Sequence, residues 1–272
     1  MDRPADLPDF EFPPINEVVF GVQFSPIPGY TLIQAGRVWE QFKDVFPLVR
    51  EQPAISPTFE TFGGSPVPQN SFSINLGGGV EHPRFWFLSA EETGIIQFQA
   101  DRLLRNWRQV DGRPTEVYPS FSLLADEFEE DLVALEKISL DIGGQPLLIN
   151  QVELSYMNRI YGSSEQPLPQ AHDWLRLVNL EKGSWGDFTA QLRRVVEDKS
   201  GRPVARLYCE TGAAYDSLMR PNLALNFTYR GAPRDGSITS ALDFLADARD
   251  VIVRTFTEIT TESAHAKWGR IA

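Results

Sequence analysis

The sequence predicts an α+β protein made of two similar β-α-β-β-β-α units, each an antiparallel sheet covered by a long helix, in a helix-grip or saddle-like duplication. Three observations lead there. Short apolar-alternating runs are punctuated by Gly and Pro, two long helical stripes of apolar residues close the two halves of the chain, and the same element order recurs on either side of residue 145. The expected organisation is an extended Pro-rich arm over 1–14, a first unit over 15–145 and a second over 146–272. Joined about a pseudo-twofold axis, two such sheets would form a continuous saddle or leave a cleft between units.

The arm follows from Pro4, Pro8, Pro13 and Pro14, which block helix and remove ladder donors. Glu17 to Phe24 reads as a strand closed by Pro26, Pro28 and Gly29. Thr31 with Gln34 fits a capping box, and Leu32, Ala35, Trp39, Phe42 and Phe46 follow at helical spacing until Pro47. Loop is expected from Pro53 to Asn70, with a short strand at 58–62. Phe72, Ile74 and Leu76 alternate as a strand, Gly77 to Gly79 turn the chain, and 84–88 and 94–105 supply further strands. Pro119 and Ser120 open a second helix carrying Leu124, Phe128, Leu132 and Leu135 on one face, ended by Gly143 and Gly144. The second unit reads as a strand over 150–160, a short helix over 170–180, strands over 188–197, 204–211 and 223–229, and a long helix from Ser237 with Leu242, Leu245, Ile252, Phe256 and Ile259 on its apolar face.

With 272 residues, 42% of them apolar and 11% aromatic, the chain can bury a large core. No stretch approaches the roughly 18 consecutive apolar residues of a membrane span. Asp2, Asp6, Asp9 and Glu11 are the opposite of a basic signal-peptide start, and Cys209 is the only cysteine, so a cytoplasmic protein without an intrachain disulfide is expected. Cys209, flanked by strand residues, reads as a packing residue. The net charge of −12 repels phosphate backbones and disfavours nucleic acid as a partner.

No catalytic or metal motif is visible. His82, His172 and His265 are the three histidines, none of them within a nucleophile elbow or a paired metal-ligand spacing. The acidic run from Asp126 to Asp131 reads as a solvated helix face outside the apolar stripe, and the triple glycine precedes no helix that could hold a phosphate. No cofactor is expected.

Two segments carry candidate binding chemistry. Arg102, Arg105 and Arg108 stand beside Asn106 and Trp107 in an otherwise acidic chain, a mixture suited to an anionic or planar ligand. The same arginines could instead pair with the acidic helix that follows. In the strand after residue 149, Gln151, Glu153, Ser155, Met157 and Arg159 share one face, a cleft lining or an ordinary wet sheet face.

The segments PPINEVVFGVQF, GRVWEQFKDVFP, QFQADRLLRNWRQV with the later YPSF, NQVELSYMNRI and FTEITTESAHAKWGR resemble, in that order, a sporadically distributed family of uncharacterised bacterial proteins of about this length. The resemblance picks out Arg102, Asn106, Trp107, Arg108, Glu153, Tyr156, Asn158 and Trp268. It brings no activity or cofactor, and the patchy distribution implies a mobile or defence-related gene context. The expected function is therefore a binding or interaction protein taking an unidentified protein or a small anionic or planar ligand, with Arg102, Arg105, Asn106, Trp107, Arg108, Glu153, Tyr156 and Asn158 as contacts. The alternative is an enzyme on a small or phosphorylated substrate with Glu153 as general base, and a third reading makes the arm an assembly element.

Overall fold

The computed structural model describes residues 3–63, 82–113, 117–177 and 187–271. Strands β1 (Ile15–Phe24), β2 (Leu48–Gln52), β3 (Arg84–Leu88), β4 (Gly94–Gln99), β5 (Arg102–Arg108), β6 (Ile149–Tyr161), β7 (Thr189–Glu197), β8 (Pro203–Tyr215) and β9 (Pro221–Gly231) form one antiparallel sheet in the order β2-β3-β4-β5-β1-β6-β9-β8-β7. The helices are α1 (Ala35–Phe42), α2 (Phe121–Gly143), α3 (Ala171–Trp174), α4 (Ile238–Ile259) and α5 (Glu262–Lys267).

This corrects the expectation of two units with separate helix-covered sheets. β1 and β6, the first strand of each half, are hydrogen-bonded to each other from Ile15 opposite Asn158 to Phe24 opposite Ile149, so the sheet runs through the middle without a break. The physical reason is that each strand would otherwise present an open edge of unpaired backbone groups, and pairing them removes both edges at once. α2 and α4 pack against each other on one face, above a single core that includes Phe20, Phe128, Leu154, Phe227 and Leu245.

Local chemistry explains the long helices. The Ser120 and Ser237 hydroxyls accept from the amides of Leu123 and Ser240, and Gly144, at φ 65°, takes the left-handed conformation that ends α2 with its N–H on the Leu140 carbonyl. Other expectations shift. The first helix is shorter than its apolar pattern, with a 3₁₀ turn at Leu32–Gln34 before α1. The 94–105 segment is two strands turning at Ala100 and Asp101, and the 170–180 helix is a single turn, with 178–180 outside the described residues. The strand expected at 72–76 and the glycine turn after it also lie outside them. β2 and α5 were not expected. Among the described residues, no helix is long and apolar enough to cross a membrane.

Residues 53–63 form no strand. They cross the sheet face opposite α2 and α4, held by side chains rather than by backbone pairing. Gln99 accepts from the Ile55 amide at 2.9 Å and donates to its carbonyl at 3.0 Å, and Gln23 does the same for Thr58 at 2.9 and 2.6 Å. Gln151 accepts from the Glu60 amide at 3.1 Å. The Glu60 carboxylate, 4% exposed, receives Arg206 Nε at 2.9 Å, Arg230 Nε at 3.0 Å and the Tyr208 hydroxyl at 2.6 Å. This strap ties β4, β1, β6, β9 and β8 together across both halves.

Glu60→Gln removes the negative charge between two guanidinium groups. We predict a loss on the order of 3 kcal/mol, read as a lower urea midpoint at unchanged slope; a loss under about 1 kcal/mol, the range of a surface pair, would show that the strap is not anchored there.

Candidate ligand-binding cavity

Strand alternation sends the residues of β5 to two different faces. Arg105 points under α2, where its guanidinium donates to Asp131 at 2.7 Å and to Glu127, and lies 5.5 Å from the Phe46 ring. The reading of the acidic run as wholly solvated is corrected at Asp131, which is 6% exposed; burial pushes its carboxyl up to about 6 against the pull of Arg105. Trp107, 8% exposed, packs edge-on to Tyr118 with ring centres 5.5 Å apart.

The alternate residues face the strap side. Arg102 is 6% exposed and donates to Asp101 and Gln23. Asn106 donates to Glu17 at 2.6 Å and accepts from Gln97 at 2.8 Å, and Gln97 in turn accepts from Arg84 and Trp86, a polar row crossing four strands. Arg108 donates to the Glu92 carbonyl at 2.9 Å. Glu153 accepts from Arg230 at 2.9 Å and from the Ser155 hydroxyl at 3.4 Å.

Tyr156 and Asn158, on the helix side of β6, are different in kind: both line a cavity of about 1000 Å³. It lies at the end of the sheet where β1 begins and β5 and β6 finish. Phe121 at the start of α2, Arg249, Ile252 and Phe256 on α4, and Phe227 on β9 enclose it, and the arm residues Pro8 to Pro14 close one wall. The arm is anchored by apolar burial and by backbone pairing. Leu7 is 1% exposed, Phe10 sits edge-on to Phe256 at 5.5 Å, and the amides of Glu11 and Phe12 donate to the carbonyls of Gly269 and Trp268. His265 is 2% exposed in α5 beneath Phe10, its Nε2 2.8 Å from the Thr260 hydroxyl, and burial lowers its pKa.

Within the cavity wall, the hydroxyls of Tyr118 and Tyr156 are 3.3 Å apart. Burial raises the Tyr118 phenol well above its ordinary value and pushes Tyr156 up to about 12, so both stay neutral donors through the physiological range. Arg249 is 3% exposed, with its guanidinium 4.7 Å from the Phe121 ring and Nε 3.0 Å from Asp250. At the rim, Asp111 accepts from Arg159 at 2.8 Å and from the Ser217 amide and hydroxyl.

The structure thus brings Tyr156 and Asn158 together at a cavity, places Trp107 behind Tyr118, and pairs Arg102, Arg105, Asn106, Arg108 and Glu153 with neighbouring protein groups. Sequence reasoning missed Tyr118, Phe10 and Arg249. Arg249 had a signal: it falls four residues after Leu245 and three before Ile252, on the apolar stripe of its helix. Among the described residues, no group of three or more His, Cys, Asp or Glu is placed to hold a metal ion. Cys209 is buried, and burial pushes its thiol up to about 12.

None of the known protein-family models, curated proteins or solved structures matches this chain.

Arg105→Met leaves Asp131 buried without its guanidinium partner, and its folded-state pKa then rises further above the unfolded value. Between those values the folded state holds more protons than the unfolded one, so this group's contribution to stability falls as pH rises. The loss should be on the order of 3 kcal/mol at pH 8 and smaller at pH 5. Urea titrations at the two pH values check this, and equal losses would contradict it.

Proposed function

We propose that the chain is a binding protein for a small, largely apolar molecule held in the cavity beside Tyr156 and Asn158. The observation that supports this is the cavity itself. Its volume of about 1000 Å³ is at the upper end of the roughly 300–1000 Å³ typical of ligand sites, and its wall combines several aromatic side chains with a few convergent polar groups.

The arginines of β5 add little to this reading. Their charges are already met by Asp101, Asp131, Glu127 and Glu92. Glu153 is held by Arg230 on the sheet face away from the cavity, so a general base there would have no part in this site. Nucleic acid remains disfavoured as a partner by the net charge of −12.

A thermal-shift screen of small metabolites tests the proposal. A ligand at about 100 times its Kd should raise the melting temperature of the wild type by about 5 °C. Val253→Trp, which places an indole in the cavity from a half-buried helix position, should abolish that shift. Hits that stabilise the wild type and Val253→Trp equally would show that the cavity is not their site.

A further inference from the structure

The cavity wall contains features that select among ligands. The first is a count of protons. Tyr118 and Tyr156 carry one hydroxyl proton each, and their mutual contact at 3.3 Å uses at most one of them. Among the described residues, neither hydroxyl has another hydrogen-bond partner, so one O–H is left to donate to whatever occupies the cavity. Because Tyr156 is only 6% exposed, a hydroxyl proton without an acceptor there costs desolvation, and an occupant with an acceptor atom at that point recovers it.

The second feature is the sign of the charge. In a chain of net charge −12, the residues lining the cavity include five arginines (Arg3, Arg113, Arg159, Arg220, Arg249) against three carboxylates (Asp9, Glu11, Asp111); Asp216 and Asp250, paired with Arg220 and Arg249 from outside the wall, balance the other two, so guanidinium groups outnumber carboxylates on the wall itself. Arg249 is the buried one. Asp250, which accepts from it, is not part of the cavity wall. Arg249 and Arg3 also favour the ionised form of both phenols, though burial outweighs them. A guanidinium that favours a phenolate at this point also favours an anion seated beside it.

The third feature is the length of apolar wall leading away from the hydroxyl pair along Phe10, Phe227, Ile252 and Phe256. An inorganic ion would leave that wall facing empty space. We infer that the cavity takes an amphipathic anion, with one acidic group at the Tyr118 and Tyr156 hydroxyls and an aromatic or aliphatic body along the phenylalanines. This rests on the reading of the cavity as a ligand site.

Two fluorescent probes that differ only in the acid test it: 1-anilinonaphthalene-8-sulfonate and its neutral counterpart N-phenyl-1-naphthylamine, titrated against the full chain. The sulfonate should bind the wild type about tenfold or more tightly than the neutral probe, the gain of one charge-assisted contact. Tyr118→Phe combined with Tyr156→Phe keeps the ring packing and should narrow that gap, Arg249→Gln should narrow it as well, and Arg249→Lys should retain most of it. Should the arginine variants fail to fold, the tyrosine pair still decides. Equal binding of both probes, each blocked by Val253→Trp, would overturn the anion inference and leave the ligand site standing. Binding that Val253→Trp does not block, or no binding of either probe, would overturn both.

Discussion

The pairing of β1 with β6 is the constraint on which everything else in this molecule depends. It joins the strands that open the two halves, and the register from Ile15–Asn158 to Phe24–Ile149 fixes where every flanking strand must lie. The helix-side residues Val18, Phe20 and Val22 then fall beside Val152, Leu154 and Tyr156, giving α2 and α4 a common floor. A slip of one residue would turn those side chains to the strap side and bring Glu17 and Gln23 under the helices. The cavity lies at the end of these two strands, walled by the start of α2, by α4 and by the arm.

On the strap side, Arg102, Asn106, Arg230 and Glu153 belong to hydrogen-bonded rows that run from strand to strand. Polar groups at such depth are stable only when their partners are complete, and the rows supply them. The charged groups at the cavity wall are also paired, Arg159 with Asp111 and Arg249 with Asp250, but there they stand among aromatic side chains that border open volume.

Individual elements were legible in the sequence, the single sheet that joins them was not, and both for identifiable reasons. Ser120, Ser237 and Gly144 mark helix ends through local backbone chemistry, and local chemistry is what sequence patterns record. Strand pairing between residues more than a hundred positions apart is not local, so nothing in the alternation of β1 or β6 said that the two would become neighbours. The candidate site was legible only in part. Tyr156 and Asn158 stood out by resemblance and by position on a strand, whereas Tyr118 and Phe10 reach the cavity through a loop and an arm whose course depends on the finished core. Asp131 and Arg249 share an overlooked signature: each is a charged residue at a helical position that the apolar spacing reserves for burial, three after Phe128 and four after Leu245 respectively. Asp131 is matched by Arg105 across the core, and Arg249, bonded to Asp250, borders the cavity.

The strap has a consequence for the order in which the chain assembles. Its contacts span sequence separations of 35 to Gln23, 44 to Gln99, 91 to Gln151, 146 to Arg206 and 170 to Arg230. Neither half of the sheet alone presents all five anchors, so the strap is complete only once β4, β1, β6, β9 and β8 are aligned, and long-range closures of this kind are slow. The amides of Ile55 and Thr58 need only β4 and β1 for protection from solvent exchange, whereas the amide of Glu60 needs β6 of the other half, so the far end of this apparent loop is a built-in record of the two halves coming together.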